Sequence, residues 1–256
     1  VAINKNLDQT IFYHIHNPNN FEYTNFVYNY PNAKFLYIVR NPIQMLESWI
    51  AGYLKKINES NDTYQNKIWF HRIVERIISI FGYMHNPLHN LFETKGVRLE
   101  DLKENSRKTI PSIANWIGVG EHPSLFKSEF LNKQYSRPSA SHNMITGFDT
   151  RSIDLASGRF FGRNDIQILE TLLWPFMHLY GYTKISEEDF YQNLMKIRPS
   201  IDEPLEFEVE YFPKISDNYF NIKETNSFKL LHQNLLNAWE TLAKKRSYPC
   251  LIKPLE

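Results

Sequence analysis

The segment KFLYIV at Lys34–Val39, followed at once by Arg40, Asn41 and Pro42, constrains the fold more than any other stretch. A nearly continuous apolar run between turn signals fits a strand buried on both faces of a parallel sheet. Asn41 suits a helix N-cap and Pro42 suits the first helical position. Beyond them Ile43, Leu46, Ile50 and Tyr53 recur at helical spacing, which predicts a helix to about Lys55. A buried strand feeding directly into a helix points to an α/β chain with a central parallel sheet flanked by helices. The strand's carboxyl end and the helix start then meet at one edge, where open sheets of this kind hold ligands.

The rest of the chain reads around that unit. A short strand is expected at residues 10–15. A polar loop over 58–62 leads into a long helix from about Tyr64, with Ile73, Ile77, Ile80 and Met84 on one stripe, which Pro87 ends or kinks. Residues 96–99 read as another strand, and 110–117 as a helix closed by Gly118. Residues 132–164 are polar and lack periodicity, and a loop of that length is usually functional or mobile. Residues 165–182 predict a helix ending at Gly181, with a kink at Pro175. After a helix over 187–196, residues 206–211 (EFEVEY) alternate strictly and predict a strand with Phe207, Val209 and Tyr211 on one face. Residues 227–245 give the cleanest amphipathic helix, with Phe228, Leu231, Leu235, Ala238 and Leu242 aligned. The expected division is an α/β core over 1–183 and a mostly helical extension over 184–256 packed on it.

Composition narrows the function classes. Lys and Arg total 29 against 28 Asp and Glu, so no overall basic charge favours nucleic acid and any anion site is local. No apolar run is long enough to span a membrane. No basic stretch followed by an apolar one opens the sequence. The single cysteine, Cys250, excludes an intrachain disulfide framework and fits a reducing compartment, which makes the cytoplasm the expected location. Neither a nucleic-acid nor a membrane partner is expected.

Arg40 falls at the carboxyl end of the best strand, beside a helix N-terminus, with Ser48 six residues beyond Pro42. A guanidinium fork, a hydroxyl and a helix start together can hold a phosphate. The plain alternative is an Arg40 paired with a carboxylate and a Ser48 facing water. His14 and His16, one residue apart on a strand, point to the same face, a pattern compatible with zinc. No third ligand motif accompanies them, so a base or a structural role ranks above a metal, and none is expected. His85 and His89 are separated by Pro87, which spoils a helical ligand pair.

Residues 33–48 (AKFLYIVRNPIQMLES) resemble the 3′-phosphate-binding segment of the sulfotransferases that use 3′-phosphoadenosine 5′-phosphosulfate (PAPS). That family shows an apolar strand, then Arg-(Asn/Asp)-Pro, then Ser eight residues after the Arg. The resemblance implies that Arg40 and Ser48 hold the nucleotide 3′-phosphate. Residues 97–119 (VRLEDLKENSRKTIPSIANWIGV) are similar to the family's strand, Tyr-Glu-Asp-Leu, helix and apolar-Gly end, with Leu99 where many members have the Tyr that lines the adenine pocket. His16, followed by Asn17 and Pro18, matches the family's base histidine in relative position, and His14 falls where the family has Lys. His16 is thereby implied as the base that takes the acceptor proton as oxygen attacks sulfur. Residues 157–164 (SGRFFGRN) resemble the basic loop that closes over the 3′-phosphate, with Arg159 and Arg163 as its candidates and a solvated surface loop as the alternative.

The family's glycine-rich 5′-phosphosulfate loop has no counterpart in this sequence. Residue 1 is Val, not Met, so that strand and loop are expected upstream. The resemblance implies a P-loop-NTPase-like sulfotransferase fold. It also implies transfer of a sulfuryl group from PAPS, without a metal, to a hydroxyl or amine of a small-molecule or carbohydrate acceptor, releasing 3′-phosphoadenosine 5′-phosphate (PAP). The alternative is a non-catalytic sulfotransferase-like module for nucleotide binding or interaction.

Overall fold

Strand β1 (Lys34–Val39) and strand β2 (Glu93–Arg98) run parallel, in register from Lys34↔Glu93 to Val39↔Arg98. The computed structural model that shows this describes residues 28–127, 160–216 and 221–256, with short backbone stretches between 129 and 150. The strand expected at residues 10–15 lies outside the described residues. Burial of β1 is one-sided, contrary to the expectation of a strand covered on both faces. Phe35 and Val39 are buried, whereas Ile38 is 41% exposed. The reason is its place in the sheet: among the described residues, β1 is an outer strand.

The connection from β1 to β2 is a helical hairpin. Helix α1 (Pro42–Glu59) is capped by Asn41, whose side chain accepts from the amides of Ile43 and Gln44. Helix α2 (Thr63–Met84) is capped likewise by Asp62, which accepts from Tyr64 and Gln65. Its expected stripe, Ile73, Ile77, Ile80 and Met84, is at most 1% exposed. Each such side chain contributes about 1.5–3 kcal/mol by leaving water. A short helix α3 (Leu88–Leu91) follows Pro87. Beyond β2, Leu99 already begins helix α4 (Leu99–Glu104), so it is not the strand end that the sequence suggests. Helix α5 (Ser106–Ile117) closes at Gly118, whose φ of 88° is the left-handed conformation that glycine adopts without strain.

Within the stretch expected as loop, β3 (Glu129–Phe130) pairs with β4 (Lys133–Gln134), and β5 (Ser136–Pro138) with β6 (Met144–Thr146), both antiparallel. Helix α6 (Arg163–Leu179) runs unbroken through Pro175. Helix α7 (Glu187–Ile197) follows. Residues 206–211 form helix α8 (Glu206–Tyr211), not the strand that their alternation predicts. Phe207 and Tyr211 are buried one turn apart, while Val209, assigned to the same face as a strand, is 58% exposed. Helix α9 (Asn226–Lys245) buries the five apolar residues expected of it. The extension then supplies a strand of its own: β7 (Lys253–Pro254) lies parallel to β2, giving the order β1-β2-β7. The result is a small three-stranded parallel sheet in a mostly helical α/β chain, with one hydrophobic cluster that includes Ile43, Ile77, Leu172 and Leu235.

One buried carboxylate explains why α8 is helical. Asp165, on the first turn of α6, accepts from the Glu206 amide at 2.7 Å and the Phe207 amide at 2.9 Å. Those are donors that a short helix leaves unpaired at its start. Glu206 in turn accepts from the Asn164 amide. Gly162 makes room for this exchange, because a Cβ there would collide with the Glu206 carboxylate. Burial raises the Asp165 carboxyl above its ordinary value of 3.8, against the lowering effect of its amide donors. The folded state therefore keeps this proton longer than the unfolded chain. Its contribution to stability falls as pH climbs upward from about 3.8 through the raised value. The difference in melting temperature between Asp165→Asn and the parent should thus shift in favour of the variant across that window. Parallel melting curves at every pH would refute this.

Candidate anion site at the carboxyl edge of the sheet

Because β1 and β2 are parallel and in register, they end together at Val39 and Arg98. Arg40 is the next residue after β1 and is half-buried, with Nη2 3.4 Å from Gln44 Oε1. Gln44 is one turn before Ser48, which is exposed, and residues four apart share a helix face. Arg40, Gln44 and Ser48 therefore line up along one side of α1. The start of that helix lies at the same edge and brings its positive dipole end there, while its Ile43 and Gln44 amides are taken by the Asn41 side chain. Arg40 thus lies beside Gln44, one helical turn before the exposed Ser48.

Glu47, next to Ser48, is fully buried and accepts from the Phe160 amide at 3.4 Å. It ties α1 to the segment leading into α6, where Phe161 is buried and Arg163 is exposed at the first helical position. Among the described residues Arg163 has no ion pair. The other residues singled out by sequence, His14, His16 and Arg159, lie outside the described residues.

Two residues of this edge were missed by sequence reasoning. Arg98 ends β2 as Arg40 follows β1. Its guanidinium packs 4.9 Å from the Tyr182 ring centroid, with Nε 3.6 Å from Asp101 and 3.9 Å from Glu100. Tyr182 donates to Glu100 at 2.7 Å, and burial followed by that bond pushes its phenol up. It reaches this position because Gly181, at φ 70°, turns the chain back at the end of α6, where the Tyr182 amide donates to the Met177 carbonyl. Arg98 was legible by the same reading of strand ends that selects Arg40. Glu47 was legible too, as a lone carboxylate on the stripe that carries Ile43, Ile50 and Leu54.

The histidines near Pro87 have structural tasks. His85 stacks on Tyr248 at 4.2 Å, and burial together with His89 pushes its ring down to about 4. His89 lies with Nδ1 3.0 Å from the Cys250 carbonyl. Both hold the segment that leads into β7. Among the described residues, no group of three His, Cys, Asp or Glu could hold a metal ion. Among them, too, no helix is long and apolar enough to cross a membrane. No family model, no curated protein and no solved structure matches the chain.

Proposed function

We propose that the carboxyl edge of the sheet binds a 3′-phosphorylated nucleotide and that the protein is a PAPS-dependent sulfotransferase of P-loop-like fold, working in the cytoplasm. The observation that carries the reading is the alignment of Arg40, Gln44 and Ser48 beside the capped start of α1. Arg40 and Ser48 would hold the 3′-phosphate, and Arg159 or Arg163 would close over it. His16 would take the proton from an acceptor hydroxyl as its oxygen bonds to sulfur and the bond to the leaving phosphate breaks, releasing PAP. The single cysteine supports a reducing compartment.

The test is calorimetric titration with PAP against AMP, which differ at this edge by the 3′-phosphate. PAP should bind the more tightly. Arg40→Ala should weaken it by about 1–3 kcal/mol, as for a lost charge-assisted contact. Equal affinity for the two nucleotides, or an unchanged Arg40→Ala, overturns the reading. His16→Ala should lower turnover far more than donor affinity, and near-normal turnover would remove His16 as the base. A second reading, a module that holds the nucleotide without turning it over, is favoured by one observation. Among the described residues, neither β1 nor β2 runs into a glycine-rich turn that could cradle a phosphosulfate. PAP binding without sulfuryl transfer from PAPS to any hydroxyl or amine acceptor would select it.

A further inference from the structure

Ser227, in the first turn of α9, and His71, on α2, are 156 residues apart in the chain and meet in the fold, with Ser227 Oγ 3.4 Å from His71 Nδ1. The other ring nitrogen, Nε2, lies 3.6 Å from Glu75 Oε1, one helical turn along α2. Glu75 is held in turn by Arg72, whose Nη1 donates to its Oε2 at 2.8 Å. A carboxylate beside Nε2 favours the proton there and leaves the Nδ1 lone pair facing the hydroxyl. A hydroxyl, an imidazole and a carboxylate in series activate a serine for attack on a carbonyl. Both spacings are long, as they commonly are before a substrate closes such contacts. Ser227, His71 and Glu75 are each half-buried, so the array is supported from within and open to water on one side.

Two independent features surround the pair. Thr225 caps α9 by accepting from the Phe228 amide, and among the described residues the Asn226 and Ser227 amides have no acceptor. Side chains lean toward the N-terminus of their helix, which sets Ser227 Oγ at the end where those amides emerge. Donors placed there meet the charge that develops on a carbonyl oxygen under attack. On the apolar side, Ile68 precedes His71 by three residues and Leu230 follows Ser227 by three, and both are exposed. Residues three apart share a helix face, so an apolar side chain flanks each member of the pair.

We propose that Ser227 and His71 form an esterase site for carboxylic esters with a short apolar acyl chain, with Glu75 as the positioning residue. Ser227 Oγ bonds to the carbonyl carbon while His71 Nδ1 takes its proton. The Asn226 and Ser227 amides hold the oxygen that becomes negative. As the carbonyl re-forms, the bond to the alcohol oxygen breaks and the alcohol leaves with the proton from His71. Water attacks the acyl-serine by the same route, which releases the acid and restores the serine. Ile68 and Leu230 face the acyl chain. None of Arg40, Gln44 and Ser48 takes part, so the esterase site stands apart from the nucleotide reading.

The experiment treats the full chain with an alkyl fluorophosphonate, maps the adduct by mass spectrometry, and follows hydrolysis of p-nitrophenyl butyrate. The adduct should form on Ser227. Ser227→Ala should lower ester turnover about a hundredfold at an unchanged melting temperature, and His71→Ala should slow adduct formation by a similar factor. Glu75→Gln should lower kcat about tenfold and leave KM unchanged, a split that a merely structural contact would not produce. PAP affinity should be the same in every variant. An unlabelled Ser227 in the folded parent overturns the proposal, whatever the variants do. So does a His71→Ala protein labelled at the parent rate, or a Ser227→Ala protein that hydrolyses the ester as fast as the parent.

Discussion

Gly96→Ala is expected to lower stability by about 2–3 kcal/mol, the cost of forcing a group into a packed interior and straining a buried hydrogen bond. Gly96 lies in β2, and a Cβ there would collide with Tyr180 Oη and come 3.0 Å from Ile252 Cγ2. Tyr180 cannot swing clear. It is 4% exposed, packs against Phe176, and donates its hydroxyl to the Ile252 carbonyl at 3.1 Å. Displacing it disturbs both α6 and the segment entering β7. The cause is open to a double-mutant cycle. Tyr180→Phe removes the colliding oxygen, so Gly96→Ala should cost clearly less when combined with Tyr180→Phe than in the parent. Denaturant midpoints that simply add would show that the collision is not the source of the loss.

Glu208→Ala is expected to cost about 3–5 kcal/mol, as when one member of a buried polar pair is removed. Glu208 is fully buried on α8 and its Oε2 serves two donors. The Leu205 amide reaches it at 2.9 Å, and His232 Nε2 of α9 lies 2.7 Å away. The other ring nitrogen of His232 faces the Ile201 carbonyl, so each ring nitrogen lies beside an oxygen. Without Glu208, the histidine and the α8 amide are stranded in an apolar setting. Glu208→Gln should cost less, since it keeps an acceptor for one of the two donors. Equal melting temperatures for the Ala variant and the parent would remove the pair from the account of how α8 and α9 are joined.

Much of this architecture was legible because it depends on local pattern. The existence of β1, the Asn41–Pro42 helix start and the stripes of α2 and α9 each rest on such a pattern, and in the two helices burial follows it. Arg40 and Ser48 were singled out for the same reason: strand end and helix start are adjacent in the chain. The failures occur where distant groups decide. Residues 206–211 alternate like a strand, yet Asp165 from α6 satisfies the amides that a helix start exposes, and Glu208 closes the turn from within. Six residues are too few for periodicity to outweigh such caps. The strand β7, two residues of which one is Pro254, carries no periodicity at all. The outer position of β1 among the described residues depends equally on what lies beside it rather than on its own residues.

The place of β7 in the sheet has a consequence for how the protein is made. It meets β2 across a gap in sequence of 159 residues between Lys95 and Pro254. At a synthesis rate of about 5–20 residues per second, β2 emerges roughly 8–30 s before its partner exists. During that interval the nascent chain presents an open strand edge, ready to pair with another copy. The long-range closure also predisposes the sheet to assemble late and slowly, after the helices between have formed. Translation speed and chaperone supply, rather than the strength of the finished sheet, would then govern how much protein reaches the folded state.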